Sequence, residues 1–444
     1  MPVTLSDPLK AYRPTRTRPF DHAAASRFLR RVTFAPTGRE IDDAVKKGPA
    51  ALARELVQGT SESEAYRELD PIGERLAERE PQKIETLRGW WLRRLVTTAR
   101  PFHARLHLFW HDHFATSFAK VQDARLLLRQ LRTIERLALG SFPEMLLEIS
   151  RDPAMILWLD GDQNEKGRPN ENYARELFEL FSLGVGNYTE HDIREAARAF
   201  TGWHQKDGRF RFVARSHDGG RKTVLGTTGA LGGEDVVAIA AKQPACATFL
   251  ARKLLADLLA PDPAAEIVDA LAARLRKNDL HVGRTLEALL ASDVMHDPRF
   301  ARSRVRSPVE IVLGLVRSLE IRGAPAQVLA DATTQMGQRL FEPPSVEGWE
   351  HHRGWLNSAT MLVRLNAAVA AVDGNGVDFD PKRLRKAYRL RDAADVFAFA
   401  EGLALDGDVP LDLAARVRAL GGGIDRQLRE ALRLLLTSPE YQLA

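Results

Sequence analysis

A chain of 444 residues, 44% of them hydrophobic and 28% charged, is long enough to bury a large core and has neither a disordered nor a fibrous composition. Its 64 basic and 59 acidic side chains leave a formal charge of +5, a mild bias that demands neither a nucleic acid nor an anionic surface as partner. The single cysteine, Cys246, excludes an intrachain disulfide framework; it stands in an apolar, helical-looking stretch with no base beside it, which suits a small core residue better than a nucleophile.

Residues 1–21 read as an extended, proline-bearing tail, followed by a single helical domain over 22–444. The start lacks the apolar run of a secretory signal, and Thr17 splits Arg16 from Arg18. No window approaches the roughly 20 apolar residues of a membrane span, so the cytoplasm is the expected location. Phe28, Leu29 and Val32 form one apolar helix stripe. Residues 38–58 predict two helices broken at Gly48-Pro49, and residues 82–99 and 101–116 a helix pair broken at Arg100-Pro101. Residues 122–139 carry Leu and Arg at helical spacing, with the basic face in solvent.

The period changes at 209–226, which predict a β-hairpin: Phe210, Phe212 and Ala214 alternate with polar residues, and Asp218-Gly219 supplies the turn. A loop follows over 226–233. Helices resume near 234 and run to the end, interrupted by the turn-rich 373–381. The fold class is therefore mainly α, multi-helical, with one small β-hairpin insertion. The basic run 381–391 reads as a solvated helix face rather than a phosphate-binding one.

Three polar constellations stand out. In residues 100–114, His103, His107 and His111 recur at i, i+4 and i+8 along one helix side, a spacing that chelates a transition metal or lines a buried aromatic helix. His113 lies roughly 200° from His111 in an ideal helix and joins it only if helical geometry ends near Trp110. In residues 168–184, Asn170 is a candidate N-cap, and Asn170, Glu171, Asn172 and Glu176 crowd a helix start with metal- or hydroxyl-binding oxygens. Glu171, Arg175 and Glu179 there predict an i, i+4 ladder. The preceding Asp160, Asp162 and Asn164 have calcium-loop spacing, but Glu165 stands where such a loop needs glycine. At the hairpin turn, His217, Asp218 and Lys222 offer an acid–base or anion-binding cluster. No nucleophile elbow, phosphate loop, dinucleotide fingerprint or H-E-x-x-H is present.

Longer strings carry a resemblance. F-W-H-D-H-F (109–114), D-P-A-M-I-L-W-L-D (152–160), P-N-E-N-Y-A-R-E-L-F-E-L-F-S-L-G (169–184), A-A-R-A-F-T-G-W (196–203), R-S-H-D-G-G-R-K-T (215–223), G-Q-R-L-F-E-P-P-S-V-E-G-W (337–349) and W-L-N-S-A-T-M-L-V-R-L-N (355–366) resemble, in order, the bacterial family called domain of unknown function 1800. The resemblance implies one long helical domain and supplies no activity. It implies a sulfatase-like partner, since many relatives look exported and stand beside one; this chain shows no export signal. The family's polar motif positions fall here on His111, His113, Asn170, Glu171, Asn172, Glu176, Trp203, His217 and Lys222. They favour His111 with His113 over the pair His107 and His111.

Two readings compete. In the first, the chain is a metal-assisted hydrolase: one divalent metal on His111, His113 and Glu171, Glu176 or His217 as general base, Lys222 steadying negative charge, and Asn170, Asn172, Trp203 and Asp218 as binding residues. In the second, the same residues form a buried structural network in a non-catalytic scaffold or binding protein, with Trp349 and Trp355 anchoring rigid corners at Gly348 and Gly354. Convergence of His113, Glu171 and His217 on a solvent-connected pocket favours the first.

Overall fold

The sequence breaks appear where local chemistry puts them. In the computed structural model, which describes residues 7–444, helices Gly38–Lys47 and Pro49–Gln58 meet at Gly48, whose φ of 75° no side-chain-bearing residue adopts cheaply. Thr37 and Glu40 close the first of these with a capping box. Helices Glu85–Thr97 and Pro101–His113 flank the Arg100-Pro101 break. Almost all the remaining regular structure is helical, and no helix among the described residues is long and apolar enough to cross a membrane.

Buried side chains form one continuous apolar cluster from Leu9 to Tyr441. Of the expected N-terminal tail, residues 1–6 lie outside the described residues. The rest packs onto the body: Ala11 bridges Ser292, and the Tyr12 ring stacks on His296 at 4.5 Å between centroids. Helix Pro101–His113 is buried on nearly every side, through Phe102, Leu106, Leu108 and Trp110, and packs against Pro49–Gln58 and Ala124–Leu137.

The β structure differs from the expected hairpin. Two small antiparallel hairpins form, Trp203–Lys206 with Arg209–Phe212 and Lys222–Val224 with Thr227–Gly229. Their turns fall at Asp207-Gly208 and Leu225-Gly226, each pair with positive φ at both residues, as a two-residue hairpin turn requires. Asp218 is instead held by Arg198, 2.7 Å from its Nε, and accepts from the Gly220 N–H. The segment between the hairpins is irregular because its polar groups are bonded to the helix Glu190–Phe200 rather than to a strand.

One buried ionic cluster joins distant parts of the chain. Glu310, on helix Pro308–Ser318, accepts two hydrogen bonds from the Arg304 guanidinium (2.7 and 2.8 Å) and lies 3.4 Å from Arg105 on helix Pro101–His113. Arg105 also meets Asp257 at 2.6 Å. Burial alone would raise the Glu310 pKa; Arg105 and Arg304 outweigh it and hold the carboxyl far below its usual range. Removing one member leaves the others charged and dry. Glu310→Ala is therefore expected to cost about 3–5 kcal/mol in urea unfolding, whereas Asp43→Ala, which breaks an exposed pair with Lys46, is expected to cost under about 1 kcal/mol.

Candidate functional site

The motif histidines are core residues with opposite commitments. His111 Nε2 accepts from the Phe341 N–H at 3.3 Å, so that nitrogen is bare. His113 Nε2 faces the Phe181 carbonyl at 3.1 Å and must carry the proton. Their partners come from different segments, and the Trp91 ring edges onto His111 at 4.8 Å. His107, a turn earlier, is bonded to the Leu131 carbonyl at 3.0 Å. Burial pushes His107 down to about 3 and His111 down to about 4, and lowers His113 well below the usual imidazole value.

Glu171 is partly exposed and its nearest cation is Arg175, at 3.6 Å. It does not join the histidines: among the described residues no three His, Cys, Asp or Glu side chains are arranged to hold a metal ion. The helix start also differs from expectation. The α-helix runs Asn172–Glu176 and widens at once into a π-helical turn, Leu177–Ser182. Asn170 lies before it, its Oδ1 accepting from the Asn172 N–H at 3.0 Å. The Glu171–Arg175 half of the expected ladder forms at 3.6 Å; Arg175 also makes a bidentate pair with Glu190 (both 2.8 Å), and Glu179 accepts from Tyr188. Glu176 is half-buried, and burial together with Glu179 raises its pKa.

The hairpin residues are tied down by backbone. The buried Lys222 ammonium donates to the carbonyls of Asp218, Gly220 (3.1 Å) and Leu231 (2.9 Å). His217 Nδ1 lies 2.8 Å from the Thr201 carbonyl. This region does meet the Asn170 loop: Asn164 accepts from the Gly202 N–H through its carbonyl and from the Asn170 N–H through Oδ1. Asn170 and Trp203 share the wall of a gap of about 20 Å³, close to the volume of one water. The would-be calcium ligands face protein: Asp160 pairs with Lys120, and Asp162 accepts from the Gln205 N–H.

A larger cavity, about 220 Å³, opens beside the histidine motif at the residue between its histidines. Asp112 Oδ1 accepts from the Trp349 N–H at 2.9 Å, and Oδ2 lies 3.1 Å from His351 Nε2. The His351 ring is 55% exposed and stands at the mouth. Burial opposes its charge, but the bond to Asp112 and that carboxylate's field prevail and raise its pKa. Lys253, on helix Pro244–Leu258, lines the same cavity, and its ammonium has no hydrogen-bond or ion-pair partner among the described residues. Burial lowers its pKa, with Asp112 and Glu347 resisting. His113 is the motif histidine that reaches this wall, and the Arg105–Glu310–Arg304 cluster forms its floor.

Sequence reasoning carried Asp112 only inside the string F-W-H-D-H-F, and passed over Lys253 and His351. The signal available was E-G-W-E-H-H-R-G-W (347–355), two histidines in a glycine-bounded corner. One of those glycines is required: Gly348 has φ of 98°, and a Cβ there would overlap Asp112 Oδ1.

With this geometry in hand, comparison with protein families matches residues 27–443 to the family described as a protein of unknown function, DUF1800. The chain belongs to that family. The match covers nearly the whole described chain, so the Asp112 cavity is a feature of a DUF1800 protein's main body rather than of an appended segment. No curated protein and no solved structure matches the chain.

Two outcomes follow from these contacts. Gly348→Ala is expected to displace the Asp112 carboxylate, costing about 1–3 kcal/mol through its backbone conformation and lowering the His351 pKa, which an NMR titration reads directly. The buried histidines also set an acid limit. Their folded pKa values lie below the unfolded value of 6.5, so their stabilisation is complete above 6.5 and is lost as pH falls towards 4. At pH 4, His107 and His111 are each expected to cost about 3 kcal/mol. Asp152 works the other way: burial raises it to about 7, so its contribution weakens as pH rises from about 4 to 7. The histidines are more numerous, and chemical denaturation between pH 4 and 7 should show net loss on the acid side.

Proposed function

We propose that this DUF1800 protein is an acid–base enzyme of hydrolase type working at the Asp112 cavity, and that the motif histidines, Lys222 and Asp218 serve it as structure. The observation that carries this reading is the Asp112–His351 pair at the cavity mouth. A carboxylate holding one ring nitrogen, with the ring half in solvent, is the orienter-and-base arrangement of general acid–base catalysis. Lys253 adds a charge inside the cavity, placed to stabilise negative charge developing on a bound substrate.

Metal-assisted hydrolysis through His111, His113 and Glu171 draws no support from their geometry, because among the described residues no three His, Cys, Asp or Glu side chains are grouped to hold a metal ion. The network reading is supported for the two histidines by their bonds to backbone groups on different segments. Glu176 and His217 have no demonstrated place in the cavity, and the general base passes to His351.

Turnover of a panel of small chromogenic carboxylic and phosphate esters tests the enzyme reading. His351→Ala is expected to lower kcat by about 10²–10⁴-fold while thermal melting shows the fold intact. A base must be neutral to act, so kcat/KM should rise as pH climbs through the raised His351 pKa, and Asp112→Asn should move that limb to lower pH. Undiminished turnover in His351→Ala, or an unmoved limb in Asp112→Asn, would leave the cavity as a binding site without catalysis.

A further inference from the structure

The hairpin Trp203–Lys206 with Arg209–Phe212 carries a charged surface that shares no residue with the Asp112 cavity. Its register sets Lys206 opposite Arg209 and His204 opposite Arg211, so these four side chains take one face of the ribbon. Trp203, Gln205, Phe210 and Phe212 take the other, where Trp203 is buried against the body. Lys206, Arg209 and Arg211 are exposed, and their side chains make no ion pair or hydrogen bond among the described residues. Like charges directly opposite each other destabilise a ladder, so the Lys206–Arg209 pair is held at a cost.

The surface continues past the ribbon. Exposed Arg215 follows in the turn Ala214–Ser216, and the Lys166 N–H donates to the Ser216 carbonyl at 2.8 Å, which lays the loop bearing Lys166 and Arg168 alongside. Three carboxylates are near: Glu165, Asp207 at the turn, and Asp162, which lies 3.7 Å from His204 and accepts from the Gln205 N–H. The cations outnumber them. By contrast, in the basic run 381–391 the guanidiniums of Arg383, Arg385 and Arg391 are each neutralised by an aspartate.

The tip of the ribbon is unsuited to entering a membrane. Asp207 would meet anionic headgroups unfavourably, and the tip is tied to the helix Ala124–Leu137, where Arg129 donates to the Gly208 carbonyl and Leu126 abuts Gly208. At the other end of the strand, Phe212 is 52% exposed between Arg211 and Arg215 in sequence, its ring edged by His217 at 5.2 Å. Cations on one side of a strand and an open aromatic ring on the other match a polymer with phosphates along one side and planar bases along the other. Stacking on an open ring needs an unpaired base.

We propose that this face binds single-stranded nucleic acid without sequence preference, its phosphates on Lys206, Arg209, Arg211 and Arg215 and one base stacked on Phe212.

Fluorescence anisotropy of the full chain with a labelled oligodeoxythymidine about 20 nucleotides long tests it. Four phosphate contacts predict that the logarithm of the binding constant falls against the logarithm of salt concentration with a slope of about −3. The triple variant Lys206→Gln, Arg209→Gln, Arg211→Gln, its fold checked by thermal melting, should bind at least about tenfold more weakly and flatten that slope by about 2. Phe212→Ala should weaken binding by about fivefold or more at every salt concentration and leave the slope unchanged. The control Lys382→Gln, Lys386→Gln, on the other basic run, should bind as wild type does. Absence of binding, or the same loss in the control as in the triple variant, would overturn the site. Wild-type affinity in Phe212→Ala would overturn the stacked base, and tighter binding of a duplex with equal phosphate count would overturn the preference for single strands. Binding to phosphatidylserine vesicles with none to the oligonucleotide would give the face to a membrane instead.

Discussion

Glu310 is where the fold and the cavity are fastened together. A carboxylate 1% exposed persists in a protein only when cations compensate it, and here they arrive from two directions, Arg304 from just upstream and Arg105 from a helix two hundred residues earlier. The clamp fixes the helix Pro101–His113 against the helix Pro308–Ser318. Because Asp112 and His113 end the first of these, it also fixes how far they project into the cavity. With Asp257 its charges balance, two against two, although Arg105 Nε, Arg304 Nε and Asp257 Oδ2 keep no hydrogen-bond partner. What remains for a ligand is the Lys253 ammonium and the Asp112–His351 pair, which sit above a floor that is already neutral overall.

The histidine motif then acquires a division of labour. His107 and His111 bind backbone inside the core and stay neutral because dry surroundings oppose their charge. His113 spends one nitrogen the same way and leaves the other buried without a partner. Asp112, between them, turns outward, since helical geometry sends consecutive residues about 100° apart. A motif that reads as a chelate in one dimension becomes two structural pins around one functional carboxylate.

How much of this was legible follows from the range of each determinant. The breaks at Gly48-Pro49 and Arg100-Pro101 were readable because φ and the missing N–H are local properties. The hairpin was misplaced because Asp207-Gly208 and Asp218-Gly219 carry the same local signal; Arg198, from a neighbouring helix, takes Asp218 and decides between them. At the site, Asp112 was visible but its partner His351 lies far downstream, and nothing near Lys253 in sequence marks it as a cation left unpaired. The family resemblance named histidine, asparagine and glutamate positions without showing which ones face a cavity. That distinction is tertiary.

The π-helical turn Leu177–Ser182 carries a consequence beyond packing. A π turn holds one residue more than an α turn, and it contains Phe181, whose carbonyl receives the His113 proton. The width of that turn thus selects a tautomer in a different helix. Removing a single residue there would return the segment to α-helical hydrogen bonding and reposition the Phe181 carbonyl. His113 would be free to move its proton to Nδ1, and the buried atom would change from lone pair to N–H without any alteration of its own helix. The insertion is a covalent memory of which ring nitrogen stays bare.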